Sequence, residues 1–155
     1  MRRKDRELTN KSDIVEILET ADCCRIALST EGAPYIVPLN YGYEYADSLV
    51  LYFHSAKAGR KLDLIRQNNI AGFEIDCRHE LETADACCDW SMKYSSIIGS
   101  GVIDFVNDVE AKVKGLDLLM RHYGFKGETA YPPAMLGQTT VLRMQVTQLS
   151  AKRKG

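Results

Sequence analysis

The sequence predicts a mainly β fold with flanking α-helices, built as an antiparallel barrel, and three observations carry that expectation. Strand-like runs recur at short intervals, several of them are joined by turns tight enough for hairpins, and only three segments show helical periodicity. So few helices could not cover both faces of a doubly wound parallel sheet. The 155 residues can bury roughly 70% of the surface exposed by the unfolded chain, so no disulfide or metal staple is required. No repeat, low-complexity tract or linker divides the chain, and residues 1–155 are expected to form a single domain with frayed basic ends.

Ser12 to Ala21 places Ile14, Ile17, Leu18 and Ala21 on one helical face, with Glu16 and Glu19 opposite. Cys24 to Ser29 reads as a strand, and Thr30-Glu-Gly32 as a turn. Pro34 to Tyr45 reads as one long strand with Tyr35, Val37, Leu39, Tyr41, Tyr43 and Tyr45 on a common face. Pro38 cannot donate to a ladder, which predicts a bulge or an edge there and leaves nearby backbone groups free. Asp47 turns the chain into a strand from Leu49 to His54. Ser55 or Ala56 then opens a helix to about Gln67, with Ala58, Leu62 and Ile65 inward.

Ile70 to Cys77 and Tyr94 to Val106 are further strands. Asn107-x-x-Glu110 resembles a capping box at the start of a helix carrying Val109, Val113, Leu116, Met120 and Tyr123. Thr139 to Leu149 supplies the last strand, and Arg78 to Trp90 and Gly124 to Gly137 read as loops.

The formal net charge of −1 weakens a nucleic-acid reading. Apolar runs near Leu49 to Phe53 fall far short of the ~20 residues of a membrane span. The charged start Met1-Arg-Arg-Lys-Asp-Arg-Glu7 has no apolar stretch after it, so no secretory signal is expected and the location expected is cytoplasmic. Cys23-Cys24, Cys77 and Cys87-Cys88 match no zinc or redox spacing, which predicts reduced, mostly structural thiols. Cys87-Cys88 has no base beside it in sequence, and His79 and His122 have no partners at ligand spacing, so no metal is expected.

The most informative stretch is Phe53-His-Ser-Ala-Lys-Ala-Gly-Arg-Lys-Leu-Asp-Leu-Ile65. A strand ends in small residues and feeds a helix whose first turns hold Lys57, Arg60 and Lys61. Backbone N–H groups at such a start favour a phosphate, whereas cations there oppose the helix dipole unless an anion sits among them. The alternative is a solvated basic face with Asp63 nearby. His54, facing away from Phe53, is the single candidate for proton donation, or else a structural hydrogen-bond donor. The tyrosine stripe suits a core face or a flat aromatic ligand. Tyr94-Ser95-Ser96, leading to Gly99-Ser-Gly101, offers hydroxyls to a phosphate or ring, or simply opens a polar strand.

Five segments in order resemble the nitroimidazole-resistance branch of the pyridoxamine 5′-phosphate oxidase-like flavoproteins. They are Met1 to Glu7, Tyr35-Ile-Val-Pro-Leu-Asn-Tyr-Gly-Tyr43, Tyr52-Phe-His-Ser-Ala-Lys-Ala-Gly-Arg-Lys-Leu62, Phe73-Glu-Ile-Asp76 and Tyr94-Ser-Ser-Ile-Ile-Gly99. The resemblance implies a six-stranded antiparallel split β-barrel, a homodimer, and FMN, or FAD in its place, in clefts between subunits. It implies that Val37, Pro38, Leu39, Asn40 and Tyr41 line the flavin ring, with Phe53, His54, Ser55, Ala56 and Lys57 at its border. Gly59, Arg60 and Lys61 resemble the family's phosphate clamp, and Tyr94, Ser95 and Ser96 are implied to approach from the partner subunit.

Membership in that branch implies a flavin-dependent reductase passing electrons from NAD(P)H to a small acceptor such as a nitroimidazole or another nitroaromatic. A flavin-storing or sensing protein would use the same residues. No GxGxxG fingerprint is present, so a nicotinamide would dock transiently on the flavin. Pyridoxamine phosphate oxidases end in an Arg- and Pro-bearing tail, whereas this chain ends Gln148-Leu-Ser-Ala-Lys-Arg-Lys-Gly155, which disfavours vitamin oxidation. His54-Ser-Ala stands where the branch commonly has His-Gly-Ala, and Ser150-Ala-Lys152 where it has Thr-Gly-Lys. Gly127 to Pro133 has no counterpart in that resemblance and is expected to shape the substrate pocket.

Overall fold

The computed structural model describes residues 3–155. Two long strands form its spine: β7 (Ser91–Val106) pairs antiparallel with β8 (Thr139–Lys154) along nearly its whole length. To one side of β7 lie β6 (Ile70–Glu82), β2 (Cys24–Leu28) and β3 (Tyr35–Leu39). To the other side of β8 lie β5 (Leu49–Ala56) and β4 (Gly42–Tyr45), and the two-residue β1 (Glu7–Leu8) also pairs with β8. The two edge strands, β3 and β4, are consecutive in the chain and separated only by Asn40 and Tyr41. A chain that short spans at most ~11 Å from Leu39 to Gly42. The sheet therefore has to curl until its edges nearly meet, a split barrel that its hydrogen bonds do not close.

The expected six strands are met when β3 and β4 are taken as one bent strand and β1 is set aside; counted separately, the sheet has eight. The bend corrects the expectation of one strand over Pro34 to Tyr45. The break falls at Asn40-Tyr41 rather than at Pro38, which stays in register opposite Arg25 because β3 is an edge strand and the missing N–H costs no ladder bond. The common face does hold: Tyr41 is fully buried, and Tyr35, Val37, Leu39, Tyr43 and Tyr45 pack on the same core. The Tyr41 hydroxyl donates to the carbonyls of Leu18 (2.7 Å) and Ala21 (3.2 Å), anchoring α1 (Lys11–Thr20) to the barrel.

Two helix starts differ from expectation, and one helix was not expected. α2 (Arg60–Gln67) starts later than Ser55, because β5 continues to pair with β8 through Ala56, and Ala58 is exposed rather than inward. Leu62 and Ile65 are buried as expected. α3 (Val109–His122) is capped by Asp108, not Asn107; the Asp108 carboxylate accepts from the Ala111 N–H at 2.8 Å. Within the Gly124–Gly137 loop, α4 (Pro133–Gln138) begins on a proline preset for a first helical turn.

The other loop, Arg78 to Trp90, is partly strand. β6 bulges after Cys77, where Arg78 takes a left-handed φ of 60°, and resumes pairing at Glu80 before a single 3-10 turn at Cys87–Asp89. β8 likewise passes Leu149 to Lys154, so the basic carboxyl end is paired rather than frayed. At the amino end, Met1 and Arg2 lie outside the described residues, and Lys4–Arg6 forms a 3-10 turn.

α3 lies across β4 and β5, and one glycine permits it. A Cβ on Gly42 would come within 2.4 Å of the Leu119 backbone nitrogen. The helix then closes a second small core of Val50, Tyr52 and Val141 with Leu116 and Leu118.

Candidate functional site

β5 alternates strictly at its end. Phe53 and Ser55 point into the barrel, buried, while His54 and Ala56 point outward, exposed. The Ser55 hydroxyl oxygen is buried and has no hydrogen-bond partner. An unsatisfied buried hydroxyl costs about 1–3 kcal/mol, so this oxygen has capacity to accept or donate a further hydrogen bond.

Three residues beyond the end of β5, Gly59 adopts φ 141°, ψ 157°, a conformation rare for residues with side chains, and no atom lies within 4 Å of where its Cβ would be. α2 starts from this residue. The Gly59 carbonyl accepts from the N–H groups of Leu62 (2.9 Å) and Asp63 (3.3 Å), and no side chain caps the helix. Among the described residues the N–H groups of Arg60 and Lys61 have no hydrogen-bond partner, and the exposed Lys57, Gly59 and Arg60 and the half-buried Lys61 surround them. Asp63 does not neutralise these cations; its carboxylate pairs with Arg66 at 2.9 Å. Among the described residues no ion pair engages Lys57, Arg60 or Lys61, so the basic face is uncompensated just where the helix dipole is also positive. Arg60 is held over the Tyr35 ring, 5.0 Å from its centroid, on the wall of an open groove of about 600 Å3 along the β2–β3 turn.

The β3–β4 segment adjoins β5 on its outer side. Pro38 and Asn40 are exposed, Val37 and Leu39 half-buried. The Tyr41 side chain is committed to the core, and its N–H donates to the Tyr123 hydroxyl at 3.2 Å. That hydroxyl in turn donates to the Asp22 carbonyl at 2.6 Å. Asn40 and His54 share a cavity of about 330 Å3 with residues of α3 and with Tyr131.

Tyr94, Ser95 and Ser96 lie elsewhere. Register places Phe53 level with Leu142 and Phe105, and Ser95 stands ten residues before Phe105 on β7, ~33 Å of strand path away. Ser95 and Ser96 are buried, and the Ser95 hydroxyl accepts from Arg153 Nε at 3.1 Å. The Arg6 guanidinium beside the Tyr94 phenol, with Lys152 over its ring, holds the phenol below its ordinary value. One protomer therefore brings the β3–β4 bend, the end of β5 and the start of α2 together, and leaves the Tyr94 group apart.

Sequence reasoning missed the contribution of α3, whereas Tyr131 of the Gly127–Pro133 stretch, expected to shape a pocket, does line the cavity beside His54. Leu116, Met120 and Tyr123 read as a core stripe, yet Met120 and Tyr123 are exposed and face the His54 cavity. The available signal was the width of the stripe, which exceeds what a short helix on two strands can bury. The cysteines remain free: Cys24 and Cys77 are buried and their thiols pushed up by burial, while Cys87 and Cys88 are exposed.

The chain matches the family model described as Pyridoxamine 5'-phosphate oxidase over residues 10–153. Among solved structures it is similar to a candidate 5-nitroimidazole antibiotic resistance protein from Bacteroides thetaiotaomicron, with 32% identity over 95% of this chain and 86% of that one, TM-score 0.82. It is similar in fold to a FAD and heme binding protein from Mycobacterium smegmatis (18% identity, 96% and 73% covered, TM-score 0.79). A FAD binding protein from the same organism shares the fold as well (20% identity, 95% and 96% covered, TM-score 0.63). No curated protein matches. The resemblance read from the five sequence segments is thereby borne out.

Proposed function

The chain belongs to the pyridoxamine 5′-phosphate oxidase family, and from that premise we propose that it binds a flavin, FMN before FAD, as a reductase taking electrons from NAD(P)H. The observation that carries the reading is the start of α2. An orphaned Ser55 hydroxyl, an open backbone at Gly59 and the unpaired Lys57, Arg60 and Lys61 are what a phosphate monoester would satisfy. These residues fit the flavin phosphate. Arg60 and Lys61 neutralise it, and the uncapped N–H groups orient it.

Val37 to Tyr41 and Phe53 to Ala56 form the edge along which the ring would lie, with Tyr41 and Phe53 as the buried support beneath it. The bound group would supply hydride acceptance from a nicotinamide and electron delivery to a small acceptor such as a nitroaromatic. His54, exposed beside Asn40, would hold or release a proton at its imidazole nitrogen.

A second copy of the chain belongs in this reading. Cross-strand register puts Ile36, Pro38, Ile70 and Ile98 on the outer face of the sheet, and Ile36, Ile70 and Ile98 are each at least half exposed. Docking two such faces would bury these isoleucines, and the resemblance implies that the Tyr94–Ser96 group of one copy then serves the flavin of the other.

The decisive experiment mixes purified, FMN-loaded protein anaerobically with NADH and then NADPH. Bleaching of the flavin band with either donor is expected. A flavin that stays oxidised with both would remove the electron source and leave a storage or sensing role.

A further inference from the structure

The end of the β6–β7 hairpin carries a pair of thiols that the flavin reading does not use. Glu82 and Ser91 form its last rung, and the chain between them passes through the 3-10 turn at Cys87–Asp89. Local hydrogen bonds fix that turn. The Asp89 N–H donates to the Ala86 carbonyl at 3.0 Å, the Trp90 N–H to the Cys87 carbonyl at 3.4 Å, and the Trp90 indole Nε1 to the Ala84 carbonyl at 2.7 Å. Cys87 and Cys88 are both free and both exposed on it. The other adjacent pair differs, because Cys24 is fully buried at the start of β2 and Cys23 is half-buried. Cys77 is buried.

The geometry and charge of the exposed pair narrow what it takes. Its peptide bond is trans, and adjacent Cα atoms across a trans peptide lie ~3.8 Å apart. Relaxed disulfides hold their Cα atoms at roughly 4.4 Å or more. Closing a disulfide within the pair is therefore strained, whereas one bridging atom between the sulfurs enlarges the ring and relieves it. Asp85 and Asp89 stand within two residues of the pair, and the Cys88 thiol donates to the Asp89 carboxylate at 3.8 Å. These carboxylates disfavour an anionic partner such as glutathione disulfide. Among the described residues no three His, Cys, Asp or Glu side chains are grouped to hold a metal ion, so an ion that requires four protein ligands does not fit. An uncharged, soft acceptor that two sulfurs satisfy does fit.

We propose that Cys87 and Cys88 form a chelating dithiol site for a trivalent arsenical. The step is a condensation. Two arsenic–hydroxyl bonds and two S–H bonds break, two arsenic–sulfur bonds form, and each thiol proton leaves with a hydroxyl as water. Arsenic stays trivalent, so nothing is oxidised or reduced. The second arsenic–sulfur bond closes within one turn of chain, at the effective concentration of a very short tether, which separate monothiols do not provide. An apolar group on the arsenic finds exposed surface in Trp90 and in Leu81 and Met92, which are paired across the hairpin. The site lies further along β7 from the α2 start than Tyr94 does and does not depend on the flavin reading.

The test titrates the full chain, reduced with a phosphine and freed of it, with phenylarsine oxide while glutathione is in tenfold excess over protein. Intact mass and the fluorescence of Trp90, the single tryptophan, read binding. Saturation at one equivalent is expected, with the mass gain of one phenylarsenic group less two hydrogens, reversed by 2,3-dimercaptopropanol. Cys87→Ser and Cys88→Ser are each expected to bind at least tenfold more weakly, and Cys23→Ser as the unmodified chain does. No adduct on the unmodified chain would overturn the proposal, as would an unchanged affinity in either Cys87→Ser or Cys88→Ser. An adduct mapped to Cys23, Cys24 or Cys77 would overturn it as well. Each outcome is read in the same way whether or not the protein retains FMN.

Discussion

Ser55 separates two ideas about a polar group in a core. Its hydroxyl satisfies nothing within the chain, so replacing it with alanine should relieve a desolvation cost in the ligand-free protein. Ser55→Ala is expected to raise the melting temperature without FMN, by about 1 kcal/mol of stability, while FMN retention falls; a scanning fluorimetry series with and without FMN reads both. His122 makes a second prediction. Its ring contacts the Ala21 carbonyl at 3.0 Å and packs on Tyr41, and burial holds it below the ordinary imidazole value. The folded state therefore binds the proton less well than the unfolded chain. Stability from this group is fully present above the unfolded value near ~6.5 and declines as pH falls through it. Denaturant midpoints between pH 7 and 5 should drop in the unmodified protein and drop less in His122→Gln. At this scale the basic cluster of Lys57, Arg60 and Lys61 was legible because its charges contradict the helix dipole. The Ser55 orphan was not legible, since no sequence pattern reports a missing partner.

The placement of α3 decides what His54 faces, and Gly42 decides the placement of α3. With the Leu118–Leu119 backbone 2.4–2.9 Å from a would-be Cβ, Gly42→Ala must push the helix off the sheet. A cost of about 1–3 kcal/mol is expected, seen as a lower urea midpoint. Asp108→Ala, at the helix cap, should cost about 1 kcal/mol. Sequence patterns located every helix except α4 but misplaced two starts. In each case a neighbouring strand or a better capping side chain outcompeted the local signal: β5 kept its ladder with β8 through Ala56, and Asp108 capped in place of Asn107. The loops hid most of what was missed, because β6 and β8 extend through polar residues whose pairing is dictated by β7 rather than by their own alternation.

The whole molecule is a curled sheet whose two edges are separated by two residues, and the candidate site gathers where that bend, β5 and α2 meet. The barrel was legible in advance because hairpin spacing and scarce helices leave few alternatives. Its split at Asn40-Tyr41 was not, since Tyr41 continues the apolar alternation across the break. At this scale a dimer is expected, with light scattering giving twice the chain mass and Ile98→Asp shifting it to one chain mass with loss of retained FMN. The claim on which all else depends is that the start of α2 holds a flavin phosphate. The most direct measurement is the absorption spectrum from about 300 to 700 nm of the protein and of Arg60→Ala/Lys61→Ala, each loaded with FMN and freed of excess by gel filtration. Flavin bands retained by the unmodified protein and lost from the folded double variant are the predicted result. Equal flavin in both, or none in either, would contradict it.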